Sequence, residues 1–228
     1  MKIYSADLET TVYDGQDHTE AWASALVALD SDEPLVFHSL KDTLQYLVQQ
    51  DEDAVLYYHN LKFDGNFWLS FLITELGFKQ GLVYNSPVDA YFKDKKDLNN
   101  NEVIYLISSL GQWYTITFKY RGHIYTLKDS LKLLPFKLKD IGIAFNTEHQ
   151  KLDMDYEGYR YAGCDITDEE LKYIKNDVLV LKEALNIMFS EGHNKLTIGS
   201  CCLAEYRKMI GRYDWSVFFP RLDIIPLD

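Results

Sequence analysis

The chain predicts one mixed α/β domain in which a sheet is flanked by helices. Short apolar runs that read as strands are interspersed with stretches whose apolar residues recur every three to four positions, as in helices. No internal repeat or low-complexity linker divides the 228 residues. The composition, 47% hydrophobic and 14% aromatic, is enough to bury one good core.

The elements follow in order. Runs at Ile3–Leu8, Ala23–Leu29 and Leu35–Phe37 predict an opening meander. A helix over Leu40–Gln49 and a strand over Ala54–Tyr58 come next, then a helix over Phe67–Leu76. The polar stretch Asp94–Asn101, rich in Lys, Asp and Asn, predicts a mobile loop. Strands at Val103–Ile107, Trp113–Lys119 and His123–Leu127 form an additional β-hairpin region, turning at Ser109–Gly111 and Arg121–Gly122. A short helix near Lys139–Phe145, a long one from Thr167 to Phe189 and a last one near Ser200–Ile210 complete the chain. Thr167 and Glu170 have the spacing of a capping box.

Composition narrows the function. No apolar run is long enough to span a bilayer and no secretory signal opens the chain, so no membrane partner is expected. Cys164, Cys201 and Cys202 have neither a disulfide framework nor metal-site spacing, which suits a reducing, cytoplasmic setting. The net charge of -12 opposes tight binding of duplex nucleic acid. It is unevenly spread: residues 1–61 carry twelve acids against Lys2 and Lys41, whereas residues 112–151 carry seven Lys or Arg against three acids. The middle of the chain is therefore the surface expected to track a phosphate backbone, or else a solvated charged face. Any nucleic-acid binding is expected to be weak, salt-sensitive and directed at single strands.

Three motifs carry chemistry. In SADLETT, Asp7 and Glu9 stand two apart on a strand and point the same way. Two carboxylates side by side on a core strand repel each other and resist desolvation, so a divalent cation is the simplest compensation; a strand end reaching solvent is the plain alternative. In HNLKFDGNF, Asp64 falls near a strand-to-helix junction, where it fits either a helix cap or a ligand. Its neighbours Tyr57, Tyr58, His59, Asn60, Phe63 and Phe67 are unusually aromatic and hydrogen-bonding, which suits unstacked bases. In YIKNDVLVL, Tyr173 and Asp177 are four apart and share a helix face adjoining the apolar stripe; a solvated acid between Lys175 and Lys182 is the alternative.

As an ordered set, SADLETT, HNLKFDG and YIKND resemble the three exonuclease motifs of family B DNA polymerases. The resemblance is to the DEDD group, tyrosine subclass: Tyr173 stands four before Asp177, while the place of the histidine subclass's His is held by Lys172. The GQWY stretch (Gly111–Tyr114) and the DSLK and LPF stretch (Asp129–Phe136) narrow the resemblance to the N-terminal proofreading domain of protein-primed DNA polymerases of bacteriophages and linear plasmids. It runs from about Lys2 to Asp228.

The resemblance implies a ribonuclease H-like fold with the first strand central and the last catalytic helix packed across it. It implies that Asp7, Glu9, Asp64 and Asp177 bind two Mg²⁺ or Mn²⁺ ions, hard cations suited to oxygen ligands. Such ions sit roughly 3.5 to 4 Å apart in two-metal sites. Tyr173 would orient the attacking water and Lys151 would be an auxiliary catalytic lysine. Thr10, Tyr57, His59, Asn60, Phe63, Phe67, Ser130, Leu131 and Tyr156 would hold the single-stranded DNA 3′ end. Residues 1–228 are expected to form a single 3′-5′ exonuclease domain, because palm, fingers and thumb motifs do not occur in them. Partners would be a polymerase domain in cis, if the natural chain is longer, and a terminal protein. Two other readings stay open: a freestanding exonuclease acting on RNA or DNA oligonucleotides, and a non-catalytic module gripping nucleic acid or a terminal protein.

Overall fold

Strand β1 (Lys2–Thr10) and the two strands beyond it, β4 (Ala54–Tyr58) and β10 (His123–Asp129), run parallel and form the middle of an eight-stranded sheet. β2 (Ala21–Ala28) and β3 (Leu35–Phe37) extend it antiparallel on one side. β9 (Trp113–Tyr120), β8 (Glu102–Ile107) and the two-residue β5 (Lys79–Gln80) extend it on the other. The order is β3-β2-β1-β4-β10-β9-β8-β5. A separate hairpin pairs β6 (Leu82–Ser86) with β7 (Asp89–Phe92). The computed structural model describes residues 1–10, 15–86, 88–154 and 159–219; Tyr156 lies outside them.

The helices cover both faces. α1 (Leu40–Gln49), capped by Ser39 Oγ accepting from the Asp42 amide, packs with α2 (Leu61–Ser70) on one face, over a core built on Tyr4, Leu8, Leu26, Leu56 and Trp68. α2 runs on into a π-helical turn, Phe71–Glu75. On the other face, α3 (Leu138–Ala144), α4 (Asp168–Ser190) and α5 (Ile198–Ile210) share a core with Val55, Tyr57 and Leu133. The N-terminal half of α4 has its own cluster with Trp22, Ala23, Ala25 and Val27 of β2. The Thr167–Glu170 capping box starts α4 as the spacing predicts. A short α6 (Arg212–Phe218) follows α5.

Two expectations need correction. α2 begins at Leu61, not at Phe67, so Asp64, near the strand-to-helix junction as expected, sits inside the first turn and is not the cap. The stretch expected as a mobile loop at Asp94–Asn101 contains a 3-10 turn, Lys95–Asp97, and drives Leu98 into the core at 2% exposure. Glu102 anchors both ends of it, accepting from Lys93 Nζ at 2.8 Å and from the Asn99 amide at 2.9 Å. Polar composition concealed one buried leucine and one bridging carboxylate. The expected turn at Arg121–Gly122 is present, both residues having positive φ (49° and 92°) as a two-residue hairpin demands.

Candidate active site

The site lies where the central parallel strands end. β1 pairs with β4 as far as Ala6, opposite Tyr58, and β4 pairs with β10 as far as Asp129, so Asp7 is the first residue of β1 past its β4 partner. Asp7 and Glu9 share a face. Their antiparallel partners on β2 are Ala25 and Ala23, both buried and too small to fill the space above them. α4 crosses that face and lowers Asp177 onto it. One ligand oxygen from each of Asp7, Glu9 and Asp177 lies within 4.8 Å of the others.

Asp64 arrives from the opposite face, on the first turn of α2. It is buried at 2% exposure, and burial together with the negative charge of Asp7 pushes its carboxyl well above the ordinary range. Asp7 itself rises from 3.8 to about 7, chiefly by burial and then by Asp177. Burial also raises Asp177, against the pull of Lys151. Among the described residues, Asp64 Oδ1 and Asp177 Oδ1 are buried with no hydrogen-bond partner. Oxygens in that state cost free energy unless something electropositive meets them.

On the α4 side the chain supplies one cation of its own. Lys151 Nζ donates to Asp177 Oδ2 and to the Tyr173 hydroxyl, and it lies 4.2 Å from the centre of the Tyr173 ring. Burial alone would lower the lysine pKa, but the charge of Asp177 and both hydrogen bonds outweigh it and leave it raised. Tyr173 is raised by burial, partly offset by the hydrogen bond from Lys151.

The residues expected to hold a DNA end divide into a rim and a support. Phe63, 46% exposed, stands edge-on to Phe67 with ring centres 5.4 Å apart. Asn60 is exposed at φ 79° immediately before α2. His59 Nε2 donates to the Phe136 carbonyl at 2.7 Å, Nδ1 lies 3.0 Å from Ser130 Oγ, and burial holds the imidazole below its usual value. Ser130, fully buried, also donates to the Tyr58 carbonyl at 3.0 Å, and Leu131 is half-buried beside it. Thr10 is buried just after the bulge that follows Glu9. Tyr57 departs from the rim. It is buried among the α3–α4–α5 core, edge-on to Phe189 at 5.6 Å, with Lys128 Nζ 3.3 Å from its hydroxyl.

Sequence reasoning passed over Asp129 and Lys132. Asp129 Oδ1 accepts from the amides of Asn60, Leu61 and Leu131. Lys132 Nζ lies 3.5 Å from Asp129 Oδ2, donates to Gln112 Oε1 at 2.7 Å and sits 5.7 Å from the Tyr114 ring, so the DSLK and GQWY stretches are one assembly. No local signal marks this: Asn60 is a capping residue type directly before Leu61, and only the structure shows that its side chain does not cap and that the acceptor is Asp129.

Comparison with known proteins now decides the family. The model of "DNA polymerase type B, organellar and viral" matches residues 49–163, just over half of the chain. This chain belongs to that family. The DNA polymerase of Bacillus phage Nf is 35% identical over 238 aligned residues, covering 100% of this chain and 37% of the relative. Phi29 DNA polymerase complexed with primer-template DNA superposes with a TM-score of 0.81 at 33% identity, over 98% of this chain and 37% of that one. The same polymerase complexed with single-stranded DNA gives 0.80 at 33% identity, over 94% and 36%. The chain thus spans a little over a third of the length of these relatives, and the mixed sheet flanked by helices is part of a viral type B polymerase architecture. No helix among the described residues is long and apolar enough to cross a membrane.

Proposed function

We propose that the chain is the 3′-5′ exonuclease unit of a protein-primed type B DNA polymerase, removing nucleotides from single-stranded DNA 3′ ends as 5′-mononucleotides. The observation that supports it most is the meeting of four carboxylates from three elements, with two buried oxygens, on Asp64 and Asp177, lacking any partner among the described residues. That donor set fits divalent cations: it is all oxygen and clustered, and Asp7 and Asp64 are held high in pKa by burial and by the neighbouring acids.

Asp7, Glu9 and Asp177 would hold one Mg²⁺ or Mn²⁺ ion, and Asp7 with Asp64 a second. When bound, such ions supply the charge that activates water and stabilises the leaving 3′ oxygen. The chain's own groups do the rest. The Tyr173 hydroxyl, fixed by Lys151, orients the water, and Lys151 balances negative charge gathered beside Asp177. Phe63 and Phe67 present ring faces and edges to unstacked bases. His59 and Asn60 grip the end of the strand, buried Ser130 holds His59 in place, and Tyr57 backs them from within the core. Water adds to the terminal phosphorus, the bond to the 3′ oxygen breaks, and that oxygen takes a proton.

A single-turnover digestion of a 3′-tailed primer with Mg²⁺ tests the reading. The wild-type chain is expected to shorten the tail one nucleotide at a time and to prefer DNA over RNA. An Asp7→Ala, Asp64→Ala double variant is expected to lose at least about a thousandfold, the rate equivalent of about 4 kcal/mol. Undiminished cleavage by the double variant discards the assignment.

A further inference from the structure

We infer that Asp129 is a positioning residue of this site: its carboxylate, from a different strand, fixes the start of the helix that carries Asp64. The inference rests on the exonuclease reading for its consequence, but its geometry stands apart from it.

A helix begins with backbone N–H groups that have no partner inside the helix, and a local Ser, Thr, Asp or Asn side chain ordinarily takes one of them. Asn60 occupies that place in α2 but sits at φ 79° and makes no side-chain cap. The work falls to Asp129, buried at 3% exposure, at the end of β10. Its Oδ1 accepts from Asn60 N at 3.1 Å, Leu61 N at 3.2 Å and Leu131 N at 3.1 Å. Its Oδ2 faces Lys132 Nζ at 3.5 Å. An ionised oxygen on a helix N-terminus makes strong, charge-assisted bonds and complements the helix dipole.

The consequence for Asp64 is geometric. Asp64 stands three residues after Leu61, so anything that sets the first turn sets this carboxylate. One residue further, α2 is pressed onto β9: a Cβ on Gly65 would lie 2.9 Å from Ile116 Cδ1 and 3.0 Å from the Trp113 ring. α2 is therefore pinned at two places, with the unpartnered Oδ1 of Asp64 between them. Ser130, next to Asp129, holds His59, and Lys132 holds Gln112. A single carboxylate thus registers the acidic cluster against the segments that would grip a primer end, without belonging to the cluster itself.

The test compares the 228-residue wild-type chain with Asp129→Ala and Asp129→Asn. Backbone amide exchange at Asn60 and Leu61 is read in metal-free protein, and Mn²⁺ binding by titration calorimetry. Wild type is expected to protect both amides. Asp129→Ala is expected to lose that protection at least tenfold and to weaken Mn²⁺ binding by about 10- to 100-fold, the range seen when outer partners of metal ligands are removed. Asp129→Asn keeps an oxygen acceptor and is expected to restore most of both. Unprotected amides in the wild type, or wild-type protection and Mn²⁺ affinity in Asp129→Ala, overturns the inference. If the alanine variant does not fold, Asp129→Asn against wild type decides: retained protection supports the capping role, and loss of it refutes the role. A wild-type chain that digests no DNA yet shows the expected exchange pattern sinks the exonuclease reading alone.

Discussion

The two sides of the acidic cluster are built on different electrostatic terms. On the α4 side, Asp177 meets Lys151 and Tyr173, so part of its charge is balanced within the chain. On the α2 side, Asp64 is as deeply buried, has Asp7 and Glu9 as its charged neighbours, and is driven further from its ordinary range. Burial is common to both; what separates them is the lysine beside Asp177 and the acids Asp7 and Glu9 beside Asp64. Negative charge unbalanced within the chain is therefore greatest between Asp7 and Asp64, while on the Asp177 side Lys151 offsets part of it.

The largest expected effect is a dependence of metal-free stability on pH. The folded value of Asp7, about 7, lies above its ordinary 3.8, and Asp64 and Asp177 shift in the same direction. Groups raised on folding contribute stability in full below about 3.8, and that contribution is lost as pH climbs through about 7. The melting temperature of metal-free protein is expected to fall by several degrees between pH 5 and pH 8, at roughly 2–4 °C per kcal/mol for a chain of this size. Millimolar Mn²⁺ at pH 8 is expected to restore it, because a ligand that binds only the folded state stabilises it. A flat melting profile without metal would mean that the carboxylates do not repel one another as their burial implies.

Next in size is the contrast between Asp64→Asn and Asp177→Asn at pH 8 without metal. Asp64→Asn removes a buried carboxyl whose ionised form has no cation beside it, so it is expected to raise the melting temperature by a few degrees. Asp177→Asn also removes a buried carboxyl, but it leaves Lys151, with only 24% of its side chain exposed, without its counter-ion. No rise, or a fall, is expected, since an uncompensated ion is costly even where burial is partial. Equal rises in both variants would dissolve the distinction between the two sides.

What the sequence shows of this site follows the range of the interactions involved. Asp7 and Glu9 are readable because period-two geometry is local, and Asp177 because the Thr167–Glu170 box and the apolar stripe of α4 are local too. That Asp7, Glu9 and Asp177 meet is a tertiary fact, reached from the residues only through family resemblance. The start of α2 was misread because its cap comes from Asp129, 68 residues away from Leu61 in sequence. Leu98 was misread as part of a loop because one apolar residue in a polar run has no period, yet it is buried and packs against Gly81. Tyr57 looked like a partner of DNA because an aromatic beside a motif does not announce whether helices pack over it; it lies with Val55 in the core that α3, α4 and α5 cover.

The smallest expected effect is the sharpest probe of the comparison. Lys151→Met keeps an apolar stem of similar reach but removes the positive charge from Asp177, making the α4 side resemble the α2 side. A fixed cation beside a metal site repels the metal, so the variant is expected to bind Mn²⁺ about three- to tenfold more tightly, equivalent to about 1 kcal/mol for one partly screened charge. Hydrolysis is expected to slow all the same, because Tyr173 loses the donor that fixes its hydroxyl. Tighter metal with slower turnover is a combination that loss of folding cannot mimic, and calorimetry beside a single-turnover assay reads both. Weaker Mn²⁺ binding in Lys151→Met would place the lysine's role in holding Asp177 in position, and the difference between the two sides would then be one of geometry, not of charge.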